Sequence, residues 1–427
     1  MGERPIRLDS KFSTPCAFWV PEAKDVVSTG MLLVDDDGIT FTTAPEYSRD
    51  LRMADIASEI SSIQSAREKL LVLHGFTGQG NCTLCQLVDV EHPGLRHFGL
   101  EQSIAAISYR ALVCVIGVHF GGLTDKCFDS ARYTFSGLSE WVPKATTEQW
   151  EPDQILIKIP HKEREIFAVC LHESHAEVSL KVYPEVTTSD LDGGRVTRSV
   201  PYVEVRSAGP ECLSWYREVG ARIENLFSLF TGTSQALETF FLYRGEDSGT
   251  VIERRYSHAR PFSQLECVTC TTAELANSVA IWLNEPPRFR SVESLALGVL
   301  RKGKLFVETE FLSLAQALEG FHRATTQADS SFASRLSDLC QRIDAAVLVR
   351  MRIDIADFIS NVVATRNFYT HAGGDPIPGK PSPLDGAEMF FLNQKMRALL
   401  RGVMLRHLEI PEERIADVIV RESTRWH

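Results

Sequence analysis

A permanent cation and a titratable base stand five positions apart late in the chain, Arg366 and His371. They lie in Asp354 to Gly374, DIADFISNVVATRNFYTHAGG. Guanidinium is always charged and fork-shaped, while imidazole moves protons near neutral pH, so the pair could hold an anion and transfer a proton beside it. Ile355, Ile359 and Val362 recur at helical spacing, with Phe358 and Val363 flanking them, and Gly373-Gly374 supplies a stop. Arg366 falls only about 20° round that helix from the apolar stripe, a placement that local rules disfavour and that function often explains. Spacing alone does not make a site. The chain has 12 histidines, and the pattern loosened by one residue also fits Arg401…His407 and Arg421…His427. Each residue also has an ordinary role open to it: Arg366 could pair with a carboxylate, and His371 could complement the helix dipole.

Other reactive types are candidates too. Two CxxC pairs, Cys82/Cys85 and Cys267/Cys270, have zinc-ligand spacing, but both sit in strand-like sequence where i and i+3 face opposite ways. Buried thiols are the favoured reading. Leu71 to Asn81, LVLHGFTGQGN, has the form of a hydrolase oxyanion loop. The nearest nucleophile-elbow match, Gly232 to Ala236 around Ser234, lies in helical sequence without the second glycine. A Gly-rich hairpin is the simpler assignment. Arg397 and Arg401, one turn apart on the last long helix, would either extend a phosphate-binding surface or line a solvated face.

These residues need elements to position them. The chain has 427 residues, 44% hydrophobic and 24% charged, enough for two or three domains. Its net charge of −11 resides before Ser291, since acidic and basic residues balance beyond it. An acidic chain binds nucleic acid poorly without a local basic cleft, which the neutral C-terminal part can still hold. The ten scattered cysteines suit a reducing compartment, and the N-terminal MGERPIRLDSKF has no apolar signal region. The longest apolar run, Ala111 to Phe120, is too short to span a bilayer. These features predict a cytoplasmic protein with no membrane association.

Residues 1–205 read as short strands: Met31–Val34, Leu70–Leu73, Cys82–Val88, Leu112–Phe120, Ile155–Ile159 and Val178–Tyr183, with one helix near Asp55 to Ser65. That pattern predicts a β-sandwich or partly closed barrel. Residues 206–288 form a mixed connecting region: helical periodicity from Leu213 to Tyr243, a strand-like Leu265–Thr271, and a helix from Thr272 to Leu283. Glu285-Pro286-Pro287 breaks that helix and marks the main domain boundary. Residues 289–427 are helical, with expected helices at Ser291–Leu300, Leu312–Thr325, Ser331–Ala345, Asp354–His371 and Gly386–Leu408. The fold class is thus α+β, a β-rich N-terminal domain followed by a helical bundle.

In that context Arg366-Asn367-Phe368-Tyr369-Thr370-His371 resembles the R-(polar)-x3-H motif of HEPN ribonuclease domains. The placement near the end of one bundle helix, with a long helix after it, is similar to the ApeA-type branch, which acts in bacterial anti-phage defence by abortive infection. Upstream, Leu73-His74-Gly75, Gly80 to Leu84, Gly117-Val118-His119-Phe120 and Leu138 to Trp141 resemble ApeA N-terminal motifs in the right order.

The resemblance implies a metal-independent endoribonuclease that needs no cofactor. The RNA 2′-OH attacks the neighbouring phosphate, leaving a cyclic phosphate and a 5′-OH. His371 would be the acid/base, Arg366 the phosphate anchor, and Asn367 would orient either. It further implies tRNA as substrate class, a homodimer through the HEPN domain, and a phage protein as trigger, with the β domain sensing the infection or holding the nuclease inactive. Geometry adds a reason for the dimer. Five helical residues set two side chains about 140° and roughly 7.5 Å apart, so one helix cannot bring them side by side. A non-catalytic interaction protein, with the β domain carrying the function, is the competing reading.

Overall fold

The computed structural model describes residues 10–22, 24–25, 27–43, 72–91, 108–138, 147–151, 154–158, 163–172, 175–188, 195–253, 266–301, 305–326, 330–370 and 382–424. Alternating apolar residues in its first six strands fold inward. These are β1 (Phe12–Trp19), β2 (Ser28–Asp35), β3 (Gly38–Thr43), β4 (Val72–Thr77), β5 (Gly80–Glu91) and β6 (Ser108–Ile116). Each pairs antiparallel with its neighbours in the ring β5–β6–β3–β2–β1–β4, and β4 pairs with β5 to close it. A closed barrel has no free edge to protect. Phe18, Leu32, Ile39, Phe41, Leu84 and Tyr109 fill it. A Cβ on Gly75 would sit 2.3 Å from the Phe18 ring, which is why the strand carries glycine there.

Beyond the barrel come β7 (Lys126–Phe135), the separate ribbon β8 (Thr147–Glu151) and β9 (Gln154–Lys158), then β10 (Arg164–Leu171), β11 (Ala176–Thr188), β12 (Arg195–Cys212), β13 (Leu237–Arg244) and β14 (Asp247–Glu253). Six of these line up as β10-β11-β12-β7-β13-β14, and β14 then pairs with β6. One edge of β6 is thereby divided: Ser108 to Ala111 bond to β3, and Val113 to Ile116 bond to β14. The open second sheet and the barrel share a strand.

Helix α1 (Leu213–Thr231) lies against that sheet, with the Tyr133 hydroxyl donating to the Tyr216 carbonyl at 2.8 Å. The remaining helices are α2 (Thr272–Asn284), α3 (Pro287–Arg301), α4 (Val307–Thr326), α5 (Phe332–Gln341), α6 (Ala345–Arg350), α7 (Ile355–Thr370), α8 (Gly386–His407) and α9 (Glu412–Thr424). One apolar core runs from the outer wall of the barrel at Val72 and Val113, through Tyr133 and Phe240, across α1 at Phe227 and Phe230, into the bundle at Phe311 and Leu399. Among the described residues, no helix is long and apolar enough to cross a membrane.

Three arginines fasten α1 to the bundle. Arg222 donates to the Leu283 carbonyl at 2.9 Å, to the Trp282 carbonyl, and to Glu293 at 3.1 Å. Arg301 reaches Asn225 at 2.7 Å, the Gln235 carbonyl at 3.1 Å, and Glu224. Arg401 donates to the carbonyls of Leu229, Phe230 and Glu266 at 2.9, 3.0 and 2.7 Å. Leu229 and Phe230 belong to the last turn of α1, whose carbonyls have no partner within the helix and carry partial negative charge.

Several sequence expectations change. Helical structure ends at Thr231, not Tyr243, because Gly232 adopts φ 68° and caps the helix. Leu237 to Arg244 then joins β7 as a strand. Residues 267–271 join no ladder among the described residues, and the Val268 N–H bonds to the Phe230 carbonyl at 2.9 Å. The helix expected over Ser331–Ala345 ends at Gln341, and a new one starts at Asp344, whose side chain caps it. Strand β12 runs through residue 205 without a break. The helix expected near Asp55 to Ser65 lies outside the described residues.

Candidate functional site

Helix α7 buries Phe358, Val362 and Thr365, one step round from the stripe expected from Ile355, Ile359 and Val362. Ile355 is instead 36% exposed. Arg366, next to Thr365, therefore stands at the rim of the buried face, its side chain 32% exposed. Its Nη2 donates to Glu319 Oε2 at 3.3 Å, and its guanidinium lies 5.2 Å from the Phe332 ring centroid. Asn367 is exposed beside it. His371 and Gly373-Gly374 lie outside the described residues.

Glu319 is on α4 and serves more than Arg366. Its Oε1 accepts from Arg323 at 2.8 Å and from Arg335 at 2.7 Å. One carboxylate thus joins arginines from α4, α5 and α7. A turn further along α4, His322 is buried and donates from Nε2 to Asp338 at 2.9 Å, and Arg342 donates to the same carboxylate at 3.0 Å. Burial holds the His322 imidazole below its ordinary pKa. Burial opposes ionisation of Asp338, but the Arg342 hydrogen bond and charge hold it below its usual range. Sequence reading missed Glu319 and Arg335. A signal existed: Arg335 sits one helical turn from Leu339 on the buried face of α5, a charge on an apolar stripe.

Arg397 and Arg401 do not form the surface expected of them. Arg397 donates to the Leu300 carbonyl at 2.9 Å and to Glu310 at 2.5 Å, and Arg401 holds the end of α1. The cause is α8 itself, buried on all sides from Ala398 to Leu405. His407, in the loosened pattern with Arg401, stacks on Phe289 and bonds to Glu285 at 2.5 Å, closing the α2–α3 joint.

The hydrolase candidates separate. Val72 to Thr77 and Gly80 to Glu91 form a hairpin, while Ser234 is buried with Arg301 3.4 Å from its hydroxyl. Cys82 points into the barrel, 3.4 Å from Cys114 Sγ, and Cys85 points outward into the larger core. Burial pushes the Cys85 and Cys270 thiols up to about 12. Among the described residues, no group of three or more His, Cys, Asp or Glu is placed to hold a metal ion.

The N-terminal motif residues do converge. His74 on β4 and His119, just after β6, stack with centroids 4.6 Å apart. His74 Nε2 donates to the Phe120 carbonyl at 2.9 Å, and His119 Nε2 donates to the Gly75 carbonyl at 2.7 Å. Carbonyls only accept, so both rings carry their proton on Nε2. Burial holds His74 below its ordinary value. Trp141 lies outside the described residues.

Residues 17–262 match a family model described as ApeA N-terminal domain 1, more than half of the chain. Residues 312–414 match one described as Apea-like HEPN. The chain belongs to the ApeA family. No curated protein and no solved structure matches it. The ApeA N-terminal match takes in the barrel, the second sheet and α1 together. The HEPN match contains Glu319, Arg323, Arg335, Arg342, Arg366, Asn367 and His371. This family assignment suggests a HEPN-type nuclease in a defence protein.

Proposed function

We propose that this ApeA-family chain is a metal-independent endoribonuclease of the cytoplasm, acting in abortive-infection defence with tRNA as its substrate class. The observation that carries the reading is Arg366 within the HEPN match. Its guanidinium stays at the surface, fixed between Glu319 and Phe332, with Asn367 exposed next to it. In the reaction the RNA 2′-oxygen attacks the adjacent phosphorus and the P–O5′ bond breaks. A 2′,3′-cyclic phosphate and a 5′-hydroxyl result, the 2′ proton leaving and one proton reaching the 5′-oxygen. His371 moves these protons, Arg366 stabilises charge on the phosphoryl oxygens, and Asn367 orients the phosphate or the imidazole. Two copies related by a twofold axis supply the composite site, since positions five apart on an ideal helix point about 140° apart. The β domain senses a phage protein or restrains the nuclease.

The test compares wild type with His371→Ala and Arg366→Ala on total tRNA in EDTA, alongside growth arrest on expression. Wild type is expected to cut, and each variant to lose at least about a hundredfold in rate. Equal behaviour of all three would sink the nuclease reading and leave the β domain as the functional part. Sedimentation of the same preparations is expected to give a dimer. A monomer that still cuts would remove the composite site.

A further inference from the structure

Arg366 has a companion that the motif does not include. Arg323, one turn beyond Glu319 on α4, donates to Glu319 Oε1 at 2.8 Å, and its side chain is 61% exposed. Arg366 donates to the other oxygen of the same carboxylate. Among the described residues each of these guanidinium groups gives one hydrogen bond, to Glu319, out of five N–H donors. The two cations are therefore held on one carboxylate, each with donors to spare. Arg335 donates to the same Oε1 as Arg323, at 2.7 Å, with a side chain only 3% exposed. The pair with this buried guanidinium holds Glu319 in place when an anion arrives.

We infer that Arg323 and Arg366 form a two-arginine cradle for RNA phosphate, with Glu319, tethered by Arg335, as its positioning residue. The inference rests on Arg366 being the phosphate anchor and adds a second cation and the group that fixes both. Arg366 is bounded on three sides: Glu319 takes one edge of its fork, Phe332 covers one face, and α7 carries it. Bidentate donors on adjacent arginines suit the oxygens of one phosphate and its neighbour along a single strand. Their position also answers the charge question raised by the sequence. A chain with net charge −11 needs a local basic cleft to hold RNA, and α4, α5 and α7 converge Arg323, Arg335, Arg342 and Arg366 around two carboxylates.

The experiment uses the full-length protein and a 2′-O-methyl RNA strand that binds but cannot be cut, with an all-ribose strand in parallel. Arg323→Ala, at an exposed position, is expected to weaken 2′-O-methyl binding about three- to tenfold and flatten the salt dependence by about 0.7 in slope. Its melting temperature should not move. Glu319→Gln is expected to lose about tenfold or more in kcat while binding the 2′-O-methyl strand at least as tightly as wild type. Removing a negative charge beside phosphate helps binding, whereas losing the anchor disorders Arg366. That split is one a purely structural residue would not give. Wild-type binding by Arg323→Ala would overturn the cradle and leave the nuclease reading intact. A Glu319→Gln protein that loses binding and thermal stability together would assign Glu319 to the fold and overturn its positioning role. Should wild type itself leave the ribose strand whole, the nuclease reading falls separately. Arg323-dependent binding of the 2′-O-methyl strand then upholds the cradle, and binding indifferent to Arg323 removes it.

Discussion

Arg366 and Arg401 are the same side chain in helices of the same bundle, and they do opposite things. Arg366 keeps a third of its surface and one charged partner, while Arg401 is 3% exposed with three carbonyls and Glu422 around it. Truncating the first disturbs little of the fold, so Arg366→Ala is expected to cost under about 1 kcal/mol of stability. Arg401→Leu leaves buried carbonyls and a carboxylate without their donor and is expected to cost about 3 kcal/mol or more. Urea denaturation of both variants checks the contrast; comparable midpoints would refute it. This difference was not legible in the sequence. Both arginines interrupt apolar stripes, and whether such a charge faces water or the end of another helix depends on what packs there. For Arg401 that neighbour is α1, which lies about 170 residues away in the chain.

Elements were read well where their signal is local. The cores of β2, β5 and β11 and the helices α2, α4 and α8 fall where alternation and helical period place them. Failures came from elements that only a partner defines. Leu237 to Arg244, LETFFLYR, supports either period, and pairing with β7 decides for strand. Barrel closure depends on the β4–β5 and β5–β6 registers and leaves no mark on any one strand. The His-Gly and Gly-Val-His-Phe motifs were visible, but their meeting was not. That meeting ties β4 to the connection after β6, and it has a pH signature. Burial holds His74 below its ordinary 6.5 despite the Phe120 hydrogen bond, so the unfolded chain binds the proton more readily. Stability from this contact is full above about 6.5, is lost as pH falls from there through the folded value, and changes no further below it. Melting temperature is expected to drop between pH 7.5 and 5.5. His74→Asn should shrink that drop without abolishing it, because His322 is shifted the same way. An unchanged drop in His74→Asn would clear the stacked pair of any part in it.

At the scale of the molecule, the β and α halves are not separate bodies on a tether. Their core is continuous through α1, and Arg222, Arg301 and Arg401 fasten that helix to α2, α3 and the α8 end of the bundle. The packing of α1 thus connects the β sheets to the bundle helices directly. The sequence pointed to a boundary near residue 205, because strand patterning gives way to helical period there. The chain instead crosses that point inside β12 and returns to the sheet with β13 and β14. Strand β6 shows what such sharing entails. Ser108 to Ile116 is bonded along both edges, to β5 on one side and to β3 and β14 in turn on the other. Opening the barrel or the second sheet alone frees only part of its edges, so its amides are expected to be the slowest of the N-terminal half. Fast exchange there would mean the two bodies open independently; slow exchange would make this one strand a clock for the cooperativity of the whole β domain.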